Sequence, residues 1–225
     1  MIKQKAKLNR GPSAQAGMTY VELIVVLSIF AVLSTVVIFN YSAFQSKVDL
    51  KNLASDIALQ IVQAQKSSLS GLLPLSTQSH GAAWKPSYGV YFNTNGTVMG
   101  ADNTHFIYFV DLNNTSKLFD GSTCPTATGE CLSQYTITKK NSIPAKNSII
   151  PTNGGLSVVY IGGASTALDD LTITFTRPDS SATLYSGGVI LPNATNISYV
   201  QITVHPQKGN DTYIRLYLPG RIEID

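Results

Sequence analysis

Residues 17–46, GMTYVELIVVLSIFAVLSTVVIFNYSAFQS, decide how the rest of the chain is read. From Leu23 to Phe39 there are 17 residues without a charge, rich in Leu, Ile and Val, and the next charge is Lys47. At about 1.5 Å per residue, a helix over Leu23–Ser46 measures roughly 36 Å, enough to cross a hydrocarbon core of about 30 Å. In front of it lies a short polar leader, MIKQKAKLNRGPSAQAG, in which Lys3, Lys5, Lys7 and Arg10 stand without an acidic residue. A basic flank on that side orients a single span with its N-terminus in the cytoplasm and everything after residue 46 outside.

Two simple readings leave part of this stretch unexplained. A secretory signal peptide needs a small-x-small cleavage site after the apolar run. Ala14-Gln15-Ala16 has that form but precedes the run, and Asn40-Tyr41-Ser42-Ala43-Phe44, which follows it, is a poor site. A plain membrane anchor accounts for everything except Glu22. A carboxylate costs about 2.5–3.5 kcal/mol at the bilayer centre, whereas close to a helix N-terminus it lies near the interface and is favoured by the helix dipole. Its spacing is informative: a cut after Gly17 makes Glu22 the fifth residue of the new chain, Met18-Thr19-Tyr20-Val21-Glu22.

A basic leader, a small residue before the cut, a glutamate in fifth place and an unbroken apolar helix together resemble the prepilin signal of type IV pilins and type II secretion pseudopilins. The resemblance covers residues 3–40. It implies that a membrane prepilin peptidase cuts between Gly17 and Met18 and methylates the new amino group. Met18 departs from the Phe commonest there in the family. Glu22 is then expected to act in assembly: an unpaired carboxylate in a dry filament core is costly, and the freed amino group of Met18 on a neighbouring subunit is its natural partner.

The helical pattern continues past the apolar run. Val48, Leu53, Ile57, Ile61 and Ala64 form a stripe on one face, with Lys47, Asp49, Lys51, Asp56 and Lys66 beside it. Gly71 and Pro74 are stop signals. One helix is predicted from about Met18 to Ser70, either continuous or broken near Asn40, apolar all round in its first half and amphipathic in its second. Beyond it the signals are those of strands. Tyr88–Phe92 and Thr97–Met99 flank Asn95-Gly96 as a tight hairpin. Phe106–Val110 is an apolar run, Gln134–Lys139 and Leu171–Thr176 alternate, and Ser157–Ile161, Ser198–Val204 and Thr212–Leu218 complete the set. The expected fold class is α+β: a long N-terminal transmembrane and amphipathic helix packed on one antiparallel β-sheet head, the pilin fold. Its divisions are a leader (1–17), a membrane or filament-core half of the helix (18–46), an amphipathic half (47–73) and an extracytoplasmic head (74–225).

Within the head, Ser87–Phe92, Phe106–Asn114 and the terminal Leu218–Ile224 resemble the GspH/FimT subgroup of minor pseudopilins and pilins. Some FimT-type pilins bind DNA through basic residues near the C-terminus. The residues here in that position are Arg215 and Arg221, offset by Glu223 and Asp225. Cys124 and Cys131, the only cysteines, lie in a polar loop on the outer side and are expected to pair as a disulfide. Free thiols are the alternative, zinc lacks two further ligands nearby, and a redox C-x-x-C spacing is absent. Asp111, Asn113 and Thr115 place oxygen donors at alternate positions as calcium loops do, but Ser116 and Ser122 stand where such a loop needs glycine and glutamate; an Asx-rich turn is the simpler reading. His80, His105 and His205 are scattered, and no nucleophile elbow, P-loop or dinucleotide fingerprint is present.

Composition agrees with an extracytoplasmic structural protein. Charged residues are 13% of the chain, below the roughly 25% of soluble domains. Four of the 16 basic residues precede residue 18, leaving twelve against 13 acidic ones, so the body is close to neutral and shows no nucleic-acid-binding excess of charge. The expected function is a structural, minor subunit of a type IV pilus-like (fimbrial) or type II secretion pseudopilus filament, not an enzyme, without metal or cofactor. Its expected partners are the prepilin peptidase, other pilin subunits, membrane lipid before assembly and the assembly platform. It is placed first in the bacterial inner membrane and then in the filament. A tip or uptake pilin that binds a ligand or nucleic acid, and a membrane-tethered β domain, are the alternatives.

Overall fold

In the computed structural model the described residues are 17–96, 100–113, 117–119, 124, 129–137, 141–144, 155–191, 196–206 and 209–225. The protein is α+β. Among the described residues one 50-residue helix, α1 (Tyr20–Leu69), precedes twelve strands: β1 (Ser87–Asn93), β2 (His105–Val110), β3 (Cys131–Thr136), β4 (Asn141–Ser142), β5 (Leu156–Tyr160), β6 (Ser165–Leu168), β7 (Asp170–Thr176), β8 (Thr183–Ser186), β9 (Val189–Ile190), β10 (Ile197–Pro206), β11 (Thr212–Tyr217) and β12 (Ile222–Ile224). The chain divides into two compact units, Met1–Ser42 and Ala43–Asp225.

The first unit holds the N-terminal part of α1. Over Tyr20–Ile38 its mean hydropathy is 2.7 and none of it is buried, so this segment is long and apolar enough to cross a membrane. Two of the hydroxyls on the stretch are satisfied internally: Ser28 donates to the Val25 carbonyl and Thr35 to the Ala31 carbonyl, both at 2.8 Å. That back-bonding lets a hydroxyl sit in an apolar medium without an orphaned donor. Of the two readings at Asn40 the helix takes the continuous one, because one Asn costs only a few tenths of a kcal/mol against the continuous i→i−4 ladder.

In the second unit the remaining turns of α1 bury Leu50, Leu53, Ala54, Ile57, Ile61, Ala64 and Ser68, a run of three- and four-residue steps along one face. Val48 is only half-buried; Leu50 takes the place expected of it. The helix closes on a Schellman motif: the Gly71 amide donates to the Ser68 carbonyl at 3.0 Å and the Leu72 amide to the Ser67 carbonyl at 3.1 Å, with Gly71 left-handed at φ 68°.

The strands make two antiparallel sheets rather than the single one expected. The first has the order β3-β2-β1-β7-β8-β9, the second β12-β11-β10-β5-β6 with β4 pairing β10. One core joins the buried face of α1 to both, through Val90, Phe92, Phe106, Ile173 and Phe175 from the first sheet and Leu156, Val158, Val200, Ile202, Ile214 and Leu216 from the second. A smaller cluster gathers Tyr91, Ile107, Phe109, Ala101, Phe119 and Cys131. Alternate residues of β1 and β2 thus serve different clusters, as the pleat requires, which is why both strands are apolar throughout. At Gly89 no side chain fits: a Cβ would come within 2.5 Å of the Ile173 carbonyl and 2.6 Å of the Phe109 ring.

The tight hairpin expected at Asn95-Gly96 does not set the pairing of β1. Both edges of that strand are filled, by β2 (Tyr88↔Val110 to Phe92↔Phe106) and by β7 (Ser87↔Thr176 to Asn93↔Asp170). Thr97–Met99 lie outside the described residues. Long-range burial of a two-faced apolar strand outweighs a local turn signal.

Candidate functional site

The segment that carries the residues expected to be processed and to act in assembly begins where the helix does. Gly17, Met18 and Thr19 are exposed and outside the helix, and nothing lies within 4 Å of a Cβ built on Gly17. The Gly17–Met18 peptide bond therefore sits in accessible, non-helical chain. Helix α1 then starts under a cap: Thr19 Oγ1 accepts the Glu22 amide at 3.3 Å, and the Thr19 carbonyl accepts the Leu23 amide at 3.1 Å. Thr19-x-x-Glu22 is the pattern of a capping box, with Thr as N-cap and Glu three positions on. The pattern was readable in the sequence, and it adds a second reason for a carboxylate at Glu22: an anion in the first turn, against the positive end of the helix. A cut after Gly17 would leave the new amino group of Met18 at that same positive end, where a cation is disfavoured unless a carboxylate meets it. Lys3, Lys5, Lys7 and Arg10 of the leader lie outside the described residues.

The other candidate residues stand elsewhere, in the strand-bearing unit. Cys124 and Cys131 are at disulfide distance, Cα to Cα 5.5 Å. Cys131 opens β3 opposite Phe109 of β2, so the pair covers the smaller aromatic cluster. Asp111 is fully buried, and its Oδ1 accepts the Asn113 amide at 3.1 Å, an Asx-turn. Its carbonyl takes the Trp84 indole N–H at 2.6 Å, and Glu130 Oε1 takes the Leu112 amide at 3.0 Å. Asp111 and Asn113 thus organise a turn. Thr115, the third member of the calcium spacing, lies outside the described residues. Among the described residues no three His, Cys, Asp or Glu side chains gather as metal ligands.

Near the C-terminus each arginine faces its own carboxylate. Arg215 pairs with Asp225 and lies over the Tyr199 ring. Arg221 Nη1 is 3.0 Å from Glu223 Oε1, and its guanidinium sits 4.0 Å from the centroid of Tyr217. The histidines are engaged locally: His105 Nδ1 with Asp102 at 2.8 Å, His205 Nδ1 with Asp211 at 2.6 Å, and His80 against the Trp84 ring. On β1, burial pushes the Tyr88 and Tyr91 phenols up to about 12. Tyr88 still donates to the Leu72 carbonyl at 3.0 Å, tying the strand to the chain just past the helix end.

No family model, curated protein or solved structure matches this chain.

Proposed function

We propose that this chain is a structural subunit, of the minor class, in a type IV pilus-like or type II secretion pseudopilus filament. It is made as a precursor held in the inner membrane, with residues 1–17 in the cytoplasm and the strand-bearing unit outside. A prepilin peptidase removes the leader after Gly17 and methylates Met18. The observation that carries this reading is the asymmetry of one helix. Tyr20–Ile38 presents apolar side chains on every face with none buried, and a single acid, Glu22, stands in its first turn.

Such a segment needs a cover that the chain does not supply. Lipid provides it first, and the same segments of neighbouring copies provide it in the filament. Transfer between the two is nearly balanced, because one apolar surrounding replaces another. The direction then comes from packing and from one specific contact, the Glu22 carboxylate on the Met18 ammonium of the adjoining subunit. In dry surroundings that pair is held strongly, because breaking it by removing one partner strands the other charge at about 3–5 kcal/mol.

Glu22→Ala tests the reading. In cells that build the filament, the variant is expected to be cut after Gly17 like the wild type and to remain in the membrane fraction, absent from sheared filaments. Incorporation at the wild-type level would overturn the role given to Glu22.

A further inference from the structure

Three cations from distant parts of the sequence converge at one end of the first sheet. Lys85 lies just before β1 and Arg177 just after β7, and the pairing of Ser87 with Thr176 sets the two strand ends side by side. The Arg177 amide donates to the Pro86 carbonyl at 3.2 Å, and the Ser68 hydroxyl donates to the same carbonyl at 2.9 Å, so this corner is fixed to the helix. The Arg177 guanidinium stands against Gly71, at the C-terminal end of α1. Lys117 arrives from the connection between β2 and β3. Its carbonyl accepts the Thr174 hydroxyl at 2.7 Å, and Phe119, two residues on, is buried against Tyr91 and Phe109. Lys117 is held at φ 54°, a left-handed conformation uncommon for a residue with a side chain and kept only where its surroundings over-determine it.

With Thr176, Pro178 and Asp179 these three side chains line a cleft of about 350 Å³, within the range of small-ligand sites. None of the three takes part in the ion pairs found among the described residues. Asp179, the one carboxylate of the lining, accepts the Ser181 amide at 2.9 Å and lies within reach of the Lys117 charge, so it offsets one of the three cations. Like charges held on neighbouring strand ends repel. The wall therefore carries an excess of two positive charges on a body that is otherwise close to neutral. The C-terminal arginines, by contrast, each have a carboxylate partner.

We propose that the Lys85–Lys117–Arg177 cleft binds an oxyanion of the phosphate class, held by the two ammonium groups and the guanidinium fork. The same chemistry is offered by free phosphate and by the phosphodiesters of a nucleic-acid strand. The site does not depend on the filament reading.

The test uses the full-length protein in detergent micelles, with inorganic phosphate followed by calorimetry and a labelled single-stranded oligothymidylate followed by anisotropy. Removing charge while keeping length, K85Q/K117Q should weaken binding about tenfold or more, as loss of charge-assisted hydrogen bonds requires. R215Q/R221Q should bind like the wild type. Circular dichroism and melting temperature establish that both variants are folded. Phosphate binding alone that is lost in K85Q/K117Q assigns a small anion. Oligonucleotide binding lost in the same variant and weakened by added salt assigns a phosphodiester strand. Absence of binding by either probe, or unchanged binding by K85Q/K117Q, overturns the proposal.

Discussion

The two halves of α1 are made of the same backbone and lie in opposite surroundings. In Leu50–Ser68 the buried apolar residues fall on one stripe, with Ile57 and Ile61 fully buried under the sheets while Leu59 and Val62 face outward. In Tyr20–Ile38 they fall on every side, and Ile24 and Ile29 remain 47% and 55% exposed. A stripe is what a helix needs when its partner is part of the same chain. An all-round apolar surface is what it needs when its partner surrounds it. The comparison teaches that the first half is left without an apolar cover among the described residues, which is the physical basis for reading it as a membrane segment and then a filament core.

The sharpest way to break that contrast is to cut the same side chain in each half. Ile57→Ala should destabilise the strand-bearing unit by about 3 kcal/mol, through lost burial and the cavity left behind. Ile29→Ala should leave the melting temperature of that unit unchanged. Equal effects from the two variants, read by thermal melts in the same detergent, would mean that the halves are not distinct.

A smaller effect sharpens the limits of the buried half. Reducing the Cys124–Cys131 pair releases a loop with a sequence separation of 7, and loop-closure entropy gives about 2–3 kcal/mol. The loss should appear in melts of the strand-bearing unit, while partitioning of the protein into membranes stays as before. A melting temperature indifferent to reductant would contradict a bridging role.

The mildest effect near neutrality comes from β1. Tyr88 and Tyr91 have phenols raised from 10.0 to about 12 by burial, with nearby Tyr108 and Asp170 adding to it. A group whose pKa is higher in the folded state contributes stability that is complete below its unfolded value and is lost as pH rises toward the folded one. Stability should therefore be flat below pH 10 and fall between about 10 and 12, by about 1.4 kcal/mol per tyrosine per pH unit. Phenylalanine at both positions should make this slope shallower, leaving the part due to Tyr108, whose phenol burial also raises. An unchanged slope in the double variant would place the alkaline sensitivity elsewhere.

How much of this was legible in the sequence follows the range of the interactions. The helix was, because its signals are local: a charge-free run, then a stripe with steps of three and four, then Gly71. Its start is legible as well, through the Thr19-x-x-Glu22 spacing. Most strands fell where alternation or apolar runs placed them. Their partners did not, since β1 pairs with β7 some eighty residues away, and nothing in Ser87–Asn93 itself encodes that choice. Asn95-Gly96 is a strong turn signal with no authority over which strand lies next to β1. The division into two sheets and the meeting of Lys85, Lys117 and Arg177 are likewise products of register, invisible to any window of neighbouring residues. At the start of the helix, the roles expected of Gly17, Met18 and Glu22 rest on spacing alone, and the structure adds the exposure of the Gly17–Met18 peptide bond and the Thr19 cap beside Glu22.

The most direct measurement is the mass of the intact protein purified from cells that possess the prepilin peptidase, with sequencing of its N-terminus. The expected result is a chain that begins at Met18 and carries one methyl group on its amino nitrogen. A chain that still carries residues 1–17 in those cells, or one that begins near residue 44, would contradict it and leave a tethered or secreted β domain in its place.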